Sequence, residues 1–163
     1  MKLTFNLATF LFVSSHAVAA APNFELETNR LTKAIGCENP KIQPGYTTPK
    51  APLYICMVSD RDYLEVFVND DGGGHVKNIK LVWDDRTEAR LPLTPPVHAR
   101  KTEAKAMLDA ILKLYAPDAR PLILNAFFNL KKNTSFDSAK FRIEFTYSKG
   151  SAIDERQLIL NPK

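Results

Sequence analysis

The sequence predicts an α+β fold: an antiparallel sheet of about five strands with helices packed on one face, in the order α-βββ-αα-ββ. Three observations predict it. Phe141, Ile143, Phe145 and Tyr147 alternate strictly with Arg142, Glu144, Thr146 and Ser148, the period of a half-buried strand. Across residues 102–115, Ala104, Met107, Leu108, Ile111, Leu114 and Tyr115 form a wide apolar stripe at helical spacing. Between two alternating runs lies Asn69-Asp70-Asp71-Gly72-Gly73-Gly74. These residue types accept positive φ, so the two runs read as a hairpin.

The remaining elements follow in order. Phe24, Thr28, Leu31 and Ile35 share one helical face, with Asn23 placed to cap the start and Gly36 to end it. Residues 38–55 hold Pro40, Pro44, Pro49 and Pro52 with Gly45, which predicts a loop with little regular structure. Leu53 to Val58 is a nearly continuous apolar run, the pattern of a strand buried on both faces. In the next strand Leu64, Val66 and Val68 face one way, Tyr63, Glu65 and Phe67 the other. From His75 to Trp83, Ile79, Leu81 and Trp83 oppose Asn78, Lys80 and Val82.

Residues 84–96 read as a connection containing Pro92, Pro95 and Pro96. After the helix over 102–115, Ala116-Pro117 is a stop, and Asp118 is placed to cap a further helix that tolerates Pro121 in its first turn. Ile123, Ala126, Phe127 and Leu130 face one way on it, and Lys131 and Lys132 complement the dipole at its end. Residues 133–139 read as polar and turn-like. The strand over 141–148 turns at Lys149-Gly150-Ser151 and returns through Gln157 to Leu160.

At 163 residues, 45% hydrophobic and 25% charged, the composition is that of an ordinary globular chain and excludes a collagen-like, low-complexity or mainly disordered one. Residues 1–20 read as a signal peptide. Lys2 is a short positive start, Leu3 to Val13 is mostly apolar, and Ala17-Val18-Ala19-Ala20 offers small residues for cleavage after Ala19 or Ala20. That apolar run is about eleven residues, against roughly twenty for a spanning helix. No later segment reads as transmembrane. The expectation is one exported domain over residues 21–163, periplasmic or extracellular. The Ala-rich leader fits a bacterial periplasmic protein, while Asn133-Thr134-Ser135 is a glycosylation sequon that matters only in a eukaryotic source.

Cys37 and Cys56 are the two cysteines. In an exported chain the pair predicts a structural disulfide closing the proline-rich loop. A redox site would use Cys-x-x-Cys, and a zinc site needs more ligands at close spacing. Residues 22–85 carry seven Lys/Arg and ten Asp/Glu, a net of −3, whereas residues 86–163 carry fourteen and eight, a net of +6. The basic residues are scattered through helical and strand patterns without a dense stripe, so nucleic acid is not expected as a partner.

Catalytic and metal motifs are missing. His75 and His98 lie far apart without His-x-x-x-His spacing, so no metal site is expected. The acids around Asp60 and Asp70 lack the alternate-ligand pattern of a calcium loop. The Gly72-Gly73-Gly74 run precedes a strand, whereas a phosphate cradle precedes a helix. No nucleophile motif occurs. The sequence therefore predicts a non-catalytic binding protein without a cofactor, such as an inhibitor, an immunity-type protein or an accessory subunit. Its partner is expected to be another exported protein. Tyr63 and Phe67, left bare if helices cover one face alone, with Asp70, Asp71 and His75 at the hairpin tip, are the candidate contact residues. An alternative is a small-ligand pocket between sheet and helices, lined by Phe127, Phe145 and Tyr147. A hydrolase using His75 or His98 as its base is a third reading.

Overall fold

Two antiparallel meanders meet edge to edge in the computed structural model, which describes residues 21–45, 51–57, 64–85, 98–151 and 153–163, with the side chains of 98–100 left aside. The elements are α1 (Phe24–Ile35), β1 (Lys41–Pro44), β2 (Pro52–Met57), β3 (Leu64–Asp70), β4 (Val76–Asp85), α2 (His98–Tyr115), α3 (Arg120–Asn129), β5 (Thr134–Asp137), β6 (Phe141–Lys149) and β7 (Asp154–Pro162). The seven strands form one sheet in the order β1-β2-β3-β4-β7-β6-β5. The α+β class and the rough element order agree with the sequence pattern, but the strands number seven instead of about five.

The two additional strands are the two edges. β1 falls inside the proline-rich loop and pairs Lys41 with Ile55 and Pro44 with Pro52. β5 falls in the segment read as turn-like and pairs Thr134 with Phe145 and Asp137 with Arg142. Each is four residues long, too short to show a period of its own. Short edges and a proline also blunt the exposed hydrogen-bonding row of a sheet margin.

The interior lies on one side of the sheet. Along the register, Cys56 faces Val66, Val66 faces Leu81, Leu81 faces Leu158 and Leu158 faces Phe145. All five are buried in one cluster with Phe24 and Leu31 of α1, Leu108, Ile111 and Leu112 of α2, and Ile123 and Phe127 of α3. β2 is not buried on both faces: Tyr54 and Cys56 are buried, while Leu53, Ile55 and Met57 are partly exposed.

Local signals set α1. The Asn23 side chain accepts from Leu26 N–H at 3.0 Å, and Gly36 closes the helix at φ 64°, where a Cβ is disfavoured. The helix then runs directly into Cys37, which is bonded to Cys56 of β2. α2 begins four residues before the helix expected over 102–115, so His98 is helical instead of lying on a loop.

α3 is held differently from the sequence reading. Ala119, not Asp118, is its N-cap and makes no side-chain cap; Asp118 instead accepts from Ala139 N–H at 3.1 Å. Its last turn contains no basic residue. The C-terminal carbonyls are met from β7, where Arg156 donates to Phe127 O at 2.9 Å and Leu130 O at 2.8 Å. The same guanidinium bonds Asp85 of β4 at 2.7 Å and lies over the Tyr147 ring at 5.1 Å. A buried charge needs this many partners to offset its desolvation.

Candidate binding surface

The hairpin between β3 and β4 is built by its two aspartates. Asp70 is buried, and its Oδ1 accepts from Gly72 N–H at 2.6 Å and Gly74 N–H at 3.4 Å. Asp71 Oδ1 accepts from Gly73 N–H at 2.7 Å and His75 N–H at 3.2 Å. Those two N–H groups hold the exposed Asp71 carboxyl below its ordinary pKa. Gly72 and Gly74 sit at φ 93° and 84°, the region for which the sequence supplies glycine. The His75 ring lies 3.6 Å from Asp71 Oδ2.

The tip of this hairpin is fastened to the start of α1. Phe24 N–H donates to Gly74 O at 2.9 Å, and Val76 N–H donates to Pro22 O at 2.7 Å. Asp71 and His75 are therefore exposed in their side chains while their backbone participates in a built turn.

Phe67 lies on the sheet face opposite the helices. Cross-strand rows on that face run Ile55–Phe67–Lys80–Ile159–Glu144 and Met57–Glu65–Val82–Gln157–Thr146. Phe67 is half-buried, with Lys80 Nζ 5.9 Å from its ring centre. Leu53, Ile55, Met57, Phe67, Val82 and Ile159 do not belong to the core cluster or pack against it. Tyr63 lies outside the described residues, so its relation to Phe67 rests on their shared parity in the sequence. Phe67 and the tip residues Asp70, Asp71 and His75 belong to one hairpin, with Asn69 between Phe67 and the turn.

Near the base of the turn the ladder is irregular. Asn69 pairs with Asn78, but the next residue, Asp70, pairs with Val76, so Lys77 is an extra residue on β4. Such a bulge re-aims neighbouring side chains. Asn69 and Asp70 of β3 and Lys77 and Asn78 of β4 border a cleft of about 260 Å³ there, with Pro52 and Leu53 as its apolar wall, while the Asp70 side chain is buried on the side of Val76. Asn69 opens the hairpin tip singled out from sequence, whereas Lys77 and Asn78 are not among the candidate residues. Their signal is the spacing of the buried residues on β4: Val76 to Ile79 is three positions, whereas Ile79, Leu81 and Trp83 are two apart.

The space between sheet and helices near Phe127, Phe145 and Tyr147 is filled. Phe127 and Phe145 are fully buried with ring centres 5.6 Å apart, and Trp83 lies 6.1 Å from Phe127. Tyr147 OH donates to Asp154 at 2.6 Å. Among the described residues no group of three or more His, Cys, Asp or Glu side chains is placed to hold a metal ion, and no helix is long and apolar enough to cross a membrane.

Compared with known proteins, the chain matches no family model, no curated protein and no solved structure. The class of protein is thus defined here by fold and surface: an α+β chain with one helix-covered sheet face, an opposite face that no described helix covers, and a disulfide.

Proposed function

We propose that this chain is an exported, non-catalytic binding protein that docks another exported protein on the open face of its sheet. The observation that supports this is the apolar band formed by Ile55, Met57, Phe67, Val82 and Ile159, which the core does not absorb. Apolar residues interspersed with Lys80, Glu65 and Gln157 on one face give the mixed composition of a protein-interaction surface. The same face carries Glu65, Asp84, Asp137, Glu144 and Glu155 against Lys41, Lys80 and Arg142. The partner it fits presents an apolar centre with a basic rim. Asp71 and His75 are exposed on the hairpin that carries Phe67, whereas Asp70 is buried in its turn. The Cys37–Cys56 bridge suits the oxidising compartment that export implies.

The test is a photocrosslinking side chain placed in turn at positions 67, 159 and 122, expressed in the native exported fraction. Leu122 is a large exposed residue on α3 and serves as the control for the helical side. The expected result is one protein adduct of the same mass at 67 and 159 and none at 122. Phe67→Ser should remove the interaction while Tm stays within about 3 °C of the parent. Equal adducts at all three positions, or none at 67 and 159, would overturn the proposal.

A further inference from the structure

We propose that Asp71–Gly72 is a site of self-modification, isomerisation of Asp71 to isoaspartate, and that the hydrogen bonds of the β3–β4 hairpin hold this reaction in check while the turn is formed. In the sequence this is the single step at which an aspartate or asparagine precedes glycine. Glycine has no Cβ to crowd its own amide nitrogen, so that nitrogen is the least hindered nucleophile an aspartate side chain can have beside it. This reactivity is independent of the docking surface.

The reaction needs only water. The Gly72 amide nitrogen attacks Cγ of the protonated Asp71 carboxyl. The N–Cγ bond forms, and the carboxyl hydroxyl leaves with the amide proton as water. Water then opens the five-membered imide at either carbonyl. Opening at Cγ restores aspartate. Opening at the main-chain carbonyl leaves the chain running through the side chain, as isoaspartate. One water is lost and one regained, so the composition is unchanged.

In the folded hairpin both reacting groups are engaged elsewhere. Gly72 N–H donates to Asp70 Oδ1 at 2.6 Å. Asp71 Oδ1 accepts from Gly73 N–H at 2.7 Å and His75 N–H at 3.2 Å. Those two bonds favour the carboxylate, which is a poor electrophile toward an amide. Burial adds nothing to the protection, because the Asp71 side chain is 43% exposed and water reaches it. The tip is also fastened to α1 by Phe24 N–H on Gly74 O and Val76 N–H on Pro22 O, so freeing Asp71 and Gly72 together means opening the turn. Asp70 is thus a positioning residue, acting on Asp71 through Gly72. Isoaspartate adds one carbon to the main chain here, which displaces the N–H groups that the two aspartates hold.

The experiment incubates the whole protein, folded and in guanidinium chloride, at about pH 5 and 37 °C, where an ordinary aspartate is still partly protonated. Peptide mapping then measures isoaspartate at every aspartate. In the unfolded chain it should accumulate first at position 71, and in the folded protein at least about tenfold more slowly there. Asp70→Ala removes the acceptor for Gly72 N–H and should speed the folded reaction at least about threefold. Asp70→Asn keeps an oxygen in the same place and should stay near the parent, with circular dichroism confirming that each variant is folded. The comparison of folded with unfolded parent stands even where Asp70→Ala does not fold. Equal rates in the folded and unfolded parent overturn the proposal. So does isoaspartate forming first at another aspartate of the unfolded chain, or equal rates in folded Asp70→Ala and Asp70→Asn.

Discussion

Replacing Arg156 by alanine should destabilise this protein more than any surface change. The Arg156 and Asp85 side chains are 4% and 9% exposed, and their Nε–Oδ2 distance is 2.7 Å. The same guanidinium closes the C-terminal carbonyls of α3 through Phe127 O and Leu130 O. Truncation removes a charge-assisted bond to Asp85 and two bonds to otherwise orphaned carbonyls, and leaves a carboxylate with little access to water. Breaking a buried pair in this way costs about 3–5 kcal/mol. For a chain of this length that is a fall in Tm of about 10–20 °C. Arg156→Lys keeps the charge but cannot reach Asp85 and both carbonyls at once, so its loss should be intermediate. In Asp85→Leu with Arg156→Met, both charges are gone. That variant should recover much of the loss and keep a deficit of about 1–3 kcal/mol from the unmet carbonyls. Urea unfolding of the parent and the three variants gives these differences. If Arg156→Ala loses less than about 1 kcal/mol, the pair is not desolvated as argued and the reasoning fails.

Two further measurements probe the other end of the fold. Reducing Cys37–Cys56, which lie 19 residues apart, should lower stability by about 3 kcal/mol in the chain-entropy model, read as a shift in urea midpoint with and without dithiothreitol; an unchanged midpoint would remove the bridge from the stability argument. Burial raises the pKa of Tyr115, and the Glu27 carboxylate nearby raises it further, although no hydrogen bond of ordinary geometry joins the two groups. Because the folded pKa lies above the unfolded one, this stabilisation is complete below about pH 10 and is lost as pH rises beyond it. Tyr115→Phe should therefore move the alkaline unfolding midpoint upward, and an unmoved midpoint counts against the assignment.

The elements legible in the sequence are those whose cause is local. Asn23 and Gly36 bracket α1 with a cap bond and a left-handed residue, and both act within one turn of the helix. The strict alternation of β6 and the glycine turn of the β3–β4 hairpin likewise specify themselves. What the sequence conceals is long-range. β1 and β5 exist because β2 and β6 offer them a partner. The end of α3 is met by an arginine that follows it by more than twenty-five residues in the chain. For the candidate sites the division is the same. Parity alone sets Phe67 opposite Val66 and Val68. The cleft depends on which residue of β4 pairs with Asp70, and that register is a property of two strands together.

The stabilising contacts and the candidate surfaces meet at β4 and β7. The Arg156 cluster joins β4, β7 and α3. The apolar band draws on β2, β3 and β4 with Ile159 of β7, the cleft draws on β2, β3 and β4, and the β2–β3–β4 half is held by α1. At its C-terminal end α1 is tied to β2 by the disulfide, and at its N-terminal end to the hairpin by the Phe24–Gly74 and Pro22–Val76 bonds. Tyr54 OH and Thr32, 2.8 Å apart, add a third tie between them. Opening the disulfide releases one end of that brace while the Arg156 cluster remains intact. Reduction should thus loosen β2 and its neighbours before the β6–β7 half, a local opening that amide exchange resolves from global unfolding. The cleft and the open face would then be lost under conditions where most of the secondary structure survives. The proposed docking face would then depend on the oxidised bridge, and amide exchange with and without dithiothreitol reads that dependence.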